Sequence, residues 1–179
     1  MLFQYGDLSV RRLVKEDGYV LSKWLSDPRV LEFYEGRDRP FTMSEIENEY
    51  ISFREEKKTQ ALILYDGVEI GYIQFYEWDE TMKNQYGYTD KVIYGMDQFI
   101  GEVTYWNKGI GSILVPSMVD YLLNSKGADR VVMDPQVRNK RALKCYEKCG
   151  FRKVKYLPSH ELHEGEYQDC WLMDIRKSK

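Results

Sequence analysis

Residues 106–112 read "WNKGIGS" and follow the strand-like stretch "KVIYGMDQFI" (91–100). They lead into "SILVPSMVDYLLNSKG" (112–127), whose apolar periodicity predicts a helix closed by Gly127. A glycine loop at a helix N-terminus offers unpaired backbone N–H groups and the positive end of the helix dipole, the pairing that holds phosphate. A Cβ at position 109 or 111 would keep a pyrophosphate away from consecutive amides, which is the physical reason for Gly109 and Gly111. A mononucleotide loop needs its lysine after the second glycine of G-x-x-x-x-G-K-[ST], whereas Lys108 precedes Gly109 and Ser112 follows Gly111. A dinucleotide fingerprint needs a third glycine where Leu114 stands, and it belongs to the first strand–helix unit. Both nucleotide readings fail on spacing.

Outward from the loop, "LSVRRLV" (8–14) predicts a first strand, and Asp17 can cap a helix running to Trp24–Leu25, closed by "SDPRV". Thr42 or Ser44 can cap a second helix through "EIENEYISFREEKK", with Ser44 and Glu47 in capping-box spacing. "QALILY" and "VEIGYIQFYEW" are strands joined at Asp66-Gly67, a short-hairpin signal. "TMKNQYGYTD" (81–90) reads as a polar loop before the fourth strand, 91–100. Pro116 lies inside the following helix and should kink it. "RVVMDP" is a fifth strand stopped by Pro135, "NKRALKCYEKCG" a helix closed by Gly150, and "FRKVKYL" and "YQDCWLMDIR" the last two strands. The order predicts an α+β arrangement around one mixed sheet.

The 179 residues are read as a single domain, 1–179, able to bury a core. With 43% hydrophobic and 31% charged residues, the composition is that of an ordinary globular protein. No run of about 18 apolar residues is available to span a membrane, and "MLFQYGDLSVRRLV" lacks the order of a signal peptide, so a cytoplasmic location is expected. Cys145, Cys149 and Cys170 are read as reduced core thiols. The net charge of −3 argues against a nucleic-acid partner and leaves room for a polycationic or neutral small molecule. Fifteen tyrosines exceed what a core usually absorbs, so some are candidates for a polar pocket.

"WNKGIGS" entering a helix resembles the acyl-CoA pyrophosphate loop of the GNAT acetyltransferase superfamily. "NKRALKCYEKCGF" (139–151) resembles its second signature through Asn139, Ala142, Tyr146, Lys148, Gly150 and Phe151. Trp106 departs from the Gln or Arg common at that place, which removes a side-chain donor and shifts the grip to backbone amides. The resemblance implies the GNAT fold, a central mixed, mostly antiparallel sheet flanked by helices. It further implies acetyl-CoA as co-substrate, held by Phe99, Ile100, Gly101, Trp106, Asn107, Lys108, Gly109, Ile110, Gly111, Ser112, Asn139, Ala142 and Tyr146.

A narrower likeness covers almost the whole chain. "KWLSDPRVLEFYEGRD", "VIYGMDQFIGE", "DPQVRNKRALKCYEKCGF" and "LPSHELHEGEYQDCWLMD" resemble aminoglycoside 6'-N-acetyltransferases, especially the acetyltransferase half of the bifunctional aminoglycoside-modifying enzyme. With the chain ending at Lys179, no phosphotransferase half is expected. The resemblance implies acetyl transfer to the 6'-amine of aminoglycoside antibiotics, hence resistance.

An acceptor carrying several ammonium groups calls for a carboxylate-lined cleft. Candidates are Tyr34, Glu35 and Asp38 in "YEGRD", with Asp97, Glu102, Asp134 and Asp169. Asp97 and Asp134 lie in or at the end of apolar strands, where an unpaired carboxylate would be costly. The family's base position maps to Asp97 and its general acid to Tyr146. A carboxylate of ordinary pKa ~4 is a poor base for an alkylammonium near ~10, so Asp97 is expected to orient the ammonium and pass its proton through water unless burial raises its pKa. Backbone N–H groups near Ile100 and Gly101 are the expected polarisers of the thioester carbonyl. His160 and His163 in "HELHEG" do not match H-E-x-x-H on a helix; they are read as loop residues between strands, and no metal is expected. Open alternatives are a GNAT enzyme for a protein N-terminus or a polyamine, and a non-catalytic acyl-CoA sensor. Monomer and homodimer both remain compatible.

Overall fold

Strand β1 (Phe3–Tyr5) pairs antiparallel with β2 (Leu8–Arg12), so the chain opens on a hairpin that the sequence reading started only at Leu8. The computed structural model describes residues 1–52 and 56–178. Helix α1 (Gly18–Trp24) follows Asp17, but Asp17 makes no cap. Its carboxylate instead takes both Arg11 guanidinium nitrogens at 2.7 and 2.8 Å and the Val14 amide at 2.8 Å. "DPRV" does not close the helical region: Asp27 accepts the Arg29 amide and starts a further turn, α2 (Pro28–Leu31), with proline at its first position. Helix α3 (Met43–Ile46) continues as a π-helical turn over Glu47–Ile51. Its capping box is Thr42 with Glu45, not Ser44 with Glu47. The end of the helix read through "SFREEKK" falls partly on 53–55, outside the described residues, and Lys58 already belongs to β3 (Lys58–Tyr65). Asp66 and Gly67, with φ of 50° and 74°, make the two-residue turn into β4 (Val68–Glu77).

The stretch read as a loop at 81–90 carries helix α4 (Glu80–Tyr86), started by Asp79, which accepts the Met82 amide at 2.8 Å, and ended by Gly87 at φ 72°. Then come β5 (Ile93–Ile100), α5 (Gly111–Asp120) with a π-helical turn over Tyr121–Ser125, β6 (Arg130–Met133) and α6 (Lys140–Lys148). Pro116 is accommodated inside α5. The chain ends in β7 (Arg152–His163) and β8 (Glu166–Arg176). β7 is longer than "FRKVKYL" and carries both histidines, which corrects their assignment to a loop.

The strands form one sheet in the order β1-β2-β3-β4-β5-β6-β8-β7. β5 runs parallel to β6, with Ile93 opposite Arg130, while β2–β3, β6–β8 and β7–β8 are antiparallel, so the sheet is mixed as read. The chain forms two compact units, each discontinuous in sequence: Met1–Gln74 with Gln98–Ile110, and Phe75–Asp97 with Gly111–Lys179. The first unit packs Leu21, Trp24, Leu31, Ile46, Leu62 and Tyr72, all almost fully buried. Each aliphatic side chain so buried contributes about 1.5–3 kcal/mol. In the second unit, Trp78, Ile93, Val132, Leu157, Cys170 and Leu172 form an apolar cluster. Beside it Asp174, with 0% exposure, accepts from Tyr88 (3.0 Å), Arg130 (2.5 Å) and Arg152 (3.0 Å). Arg130 also binds Asp90 at 2.9 Å and lies over the Tyr88 ring. The cysteines are free thiols, and burial pushes Cys149 up to about 11 and Cys170 up to about 12. No helix among the described residues is long and apolar enough to cross a membrane.

Candidate active site

In the first unit, β5 ends on a two-against-one irregularity: the Gly101 and Glu102 amides both donate to the Ile70 carbonyl, at 2.8 and 3.0 Å. That pairing takes the Gly101 N–H away from the carbonyl-polarising duty expected of it. Gly101 has to be glycine because a Cβ there would sit 2.2 Å from the Trp24 ring. Trp106 is a tether: its indole N–H donates to the Ile100 carbonyl at 2.8 Å and fastens the glycine loop to the strand end. The donor that the sequence reading counted as lost is present and turned inward.

Beyond the tether, Asn107 (φ 58°) and Gly109 (φ 76°) reverse the chain, a conformation Cβ-bearing residues rarely adopt. Asn107, Lys108 and Gly109 are exposed, Ile110 is buried, and the Lys108 ammonium lies 5.3 Å from the Tyr105 ring centroid.

The second unit takes over at Gly111, where α5 begins, ten residues long and thus carrying an effective dipole. A Cβ on Gly111 would stand 3.2 Å from Cys145 Sγ of α6. Ser112 is exposed on the first turn. Two residues of the second signature are explained by a cap: Asn139 accepts the Ala142 amide at 3.2 Å and starts α6. Tyr146 follows on the same helix, half-buried, its ring 6.3 Å from that of Phe151.

The second unit also holds a small recess, open to solvent and lined by Tyr76, Trp78, Met82, Tyr86, Asp134 and Leu172, among others. Asp97 is hydrogen-bonded to the Tyr76 hydroxyl, and burial, followed by the charges of Asp97 and Asp134, pushes the Tyr76 phenol well above its usual range. Tyr76 therefore stays a protonated donor to Asp97. Its ring crosses β5 over Gly95, where a Cβ would lie 2.6 Å from the ring. Asp134 holds His160 Nε2 at 2.9 Å, and that hydrogen bond raises the imidazole pKa against the opposing effect of burial. The structure thus joins Asp97 and Asp134 around Tyr76.

Glu35, Glu102 and Asp169 have intramolecular partners of their own. Glu35, at φ 68°, accepts the Tyr50 hydroxyl at 2.9 Å. Tyr34 packs into the aromatic core, 4.5 Å from Phe99 between ring centroids. Glu102 takes Lys23 at 2.5 Å and the Trp24 indole at 2.9 Å. Asp169 accepts from the Tyr156 hydroxyl and the Ser159 amide. Asp38 is exposed. Tyr76, Trp78, Tyr86 and His160 were not singled out as site residues from sequence. The alternation of Tyr76 and Trp78 in "FYEW", at the end of β4 and just past it, was the available signal.

The glycine loop opening α5 and the Asn139-capped helix bearing Tyr146 carry the two sequence signatures that resemble those of acyl-CoA-dependent N-acyltransferases. The chain belongs to the family described as acetyltransferase (GNAT) domain, whose model matches residues 14–158. It is 28% identical over 156 residues to the aminoglycoside N(6')-acetyltransferase type 1 of Klebsiella pneumoniae, covering 82% of this chain and 74% of that protein. The crystal structure of aminoglycoside acetyltransferase AAC(6')-Ib with coenzyme A and kanamycin shares the fold with a TM-score of 0.77, at 24% identity over 95% of each chain. The spermidine N-acetyltransferase of Vibrio cholerae, crystallised with CoA and spermine, shares it with a TM-score of 0.76 at 18% identity over 96% of each chain. The chain is an acetyltransferase of this family.

Proposed function

We propose that the chain transfers the acetyl group of acetyl-CoA to the 6'-amine of aminoglycoside antibiotics in the cytoplasm, and so confers resistance. The observation that carries this reading is the recess whose aromatic walls hold the Asp134 carboxylate, with Asp97 hydrogen-bonded to one of those walls, Tyr76. Carboxylates attract and seat ammonium groups, and aromatic rings cover the apolar faces of sugar rings. The name of the Klebsiella relative supports the same acceptor.

In this reading the amides of the 107–111 turn and the first turn of α5 take the pyrophosphate of acetyl-CoA, and the β5 end at Phe99–Gly101 lies along its pantetheine. Asp97 orients the acceptor ammonium and receives its proton directly or through water, with Tyr76 fixing the carboxylate by its hydrogen bond. The neutral amine attacks the thioester carbon, the C–S bond breaks, Tyr146 gives its proton to the departing thiolate, and the remaining excess proton on the new amide nitrogen returns to the Tyr146 phenolate through water. Asp134 seats a second ammonium of the same acceptor.

A polyamine acceptor is the second reading, favoured by the likeness to spermidine N-acetyltransferase. Thiol release from acetyl-CoA with kanamycin and with spermidine separates the two. The expected result is a kcat/KM at least about 10²-fold higher for kanamycin, because a flexible polyamine loses more conformational freedom on binding and leaves the ring walls uncovered. A preference for spermidine would move the assignment to polyamines.

A further inference from the structure

His160 stands where a cationic acceptor needs to bind. Its Nε2 lies 2.9 Å from Asp134 Oδ2 at the recess, and the ring of Tyr86, which lines the same recess, stands edge-on to it at 6.5 Å. The imidazole side chain is 24% exposed and the Asp134 side chain 43%, so both can be reached from solvent. β7 carries His160 inside an irregular stretch: its pairing with β8 shifts between Leu157 and Glu161, and Ser159 sits at φ 48°. Such a bulge re-aims a side chain.

The groups facing His160 from its neighbours are mostly anionic or neutral. Asp134 comes from the end of β6 and Glu161 from β7 itself, and Glu161 is in turn held by Gln136 at 2.6 Å. Arg138 donates to Gln136 Oε1 at 2.6 Å. From α4 the neighbour is the Tyr86 ring; burial pushes its phenol up, so it stays protonated.

We propose that His160 is a specificity-determining residue of the acceptor site: as imidazolium it is the built-in counter-ion of Asp134, and a polyammonium acceptor binds by taking its place. This rests on the recess being the acceptor site. Displaced from Asp134, His160 loses the hydrogen bond that raises its pKa, falls back toward ~6.5 and releases its proton. The sign follows from linkage. Below the raised pKa the acceptor competes with a bound proton and binds weakly. Between ~6.5 and the raised pKa affinity climbs by up to about tenfold per pH unit for one proton, and above the raised pKa it levels off.

Calorimetric titration of the full chain with kanamycin, and separately with spermine, between about pH 6 and pH 8 in two buffers of different ionisation enthalpy measures the protons released. His160→Gln keeps a donor for Asp134 but neither charge nor titration. The ligands' own amines titrate alike against both proteins, so the difference isolates His160. Wild type should release up to one more proton than the variant between ~6.5 and the raised His160 pKa, and the variant should bind up to about tenfold more tightly at the low end of that window, with a flatter pH profile. In NMR titration, Asp134→Asn should lower the His160 pKa. Ligand binding with the same proton release and pH slope in His160→Gln overturns this inference and leaves the acetyl-transfer reading standing. Failure of both ligands to bind at any pH overturns both.

Discussion

Asp97→Asn is expected to lower kcat for acetyl transfer to an aminoglycoside by about 10²- to 10⁴-fold, with acetyl-CoA affinity unchanged. The substitution preserves shape and one acceptor oxygen for the Tyr76 hydroxyl, so the recess keeps its form. What it removes is the charge that holds the acceptor ammonium and drains its proton. The acceptor would still enter through Asp134, so KM should move less than kcat. Tyr146→Phe in the same assay acts on the other end of the reaction, through the leaving thiolate, and should lower kcat with CoA binding retained. Steady-state rates near wild type for Asp97→Asn would return that carboxylate to a structural role as partner of Tyr76.

The second large effect concerns stability. Arg130→Met is expected to destabilise the protein by about 3–5 kcal/mol, because it strips a charge partner from a carboxylate that has no access to water. Asp174 is 0% exposed, and Arg130 is the partner that links it to Asp90. Tyr88 and Arg152 would remain on Asp174, yet Arg152 is largely exposed and compensates a buried charge poorly. The same cluster anchors the segment from Tyr88 to Asp90 that leads into β5, the strand carrying Asp97. Urea unfolding followed by fluorescence reads the effect as a fall in midpoint of about 1 M or more. A shift below about 0.3 M would show that the cluster is replaceable by apolar packing, as some buried ion networks are.

The parts of this fold legible in the sequence were those whose chemistry demands a residue type at a fixed spacing. Gly109 and Gly111 ahead of an apolar helix, and Asn139 at the head of another, are local requirements of backbone conformation and capping. The Asp66-Gly67 turn is of the same kind. Helix α4 was missed because it is short and mostly polar; Met82 and Tyr86, four apart, are its inward face, and the Asp79 cap was the usable signal. β7 was cut short because Pro158 and exposed polar residues do not look like a strand. An edge strand tolerates both, and β7 is the last strand of the sheet. Capping boxes Thr42–Glu45 and Ser44–Glu47 have identical spacing, so only the extended backbone at Thr42 decides between them.

The candidate site was legible as a list and not as an arrangement. Asp97 and Asp134 were picked out as carboxylates in apolar surroundings. Their partners, Tyr76 and His160, come from other strands, and sheet register alone brings them together. Glu35, Glu102 and Asp169 look the same in sequence, yet Tyr50, Lys23 with Trp24, and Tyr156 hold them in place.

The central claim is regiospecific acetyl transfer, and the direct measurement is to isolate the product of acetyl-CoA and a kanamycin-type aminoglycoside and locate the acetyl group by NMR, beside a compound lacking the 6'-amine. The account predicts one amide, at the 6'-nitrogen, and no release of CoA thiol with the compound that lacks it. Acetylation at another nitrogen, or no turnover of any aminoglycoside by protein that binds acetyl-CoA, would contradict it.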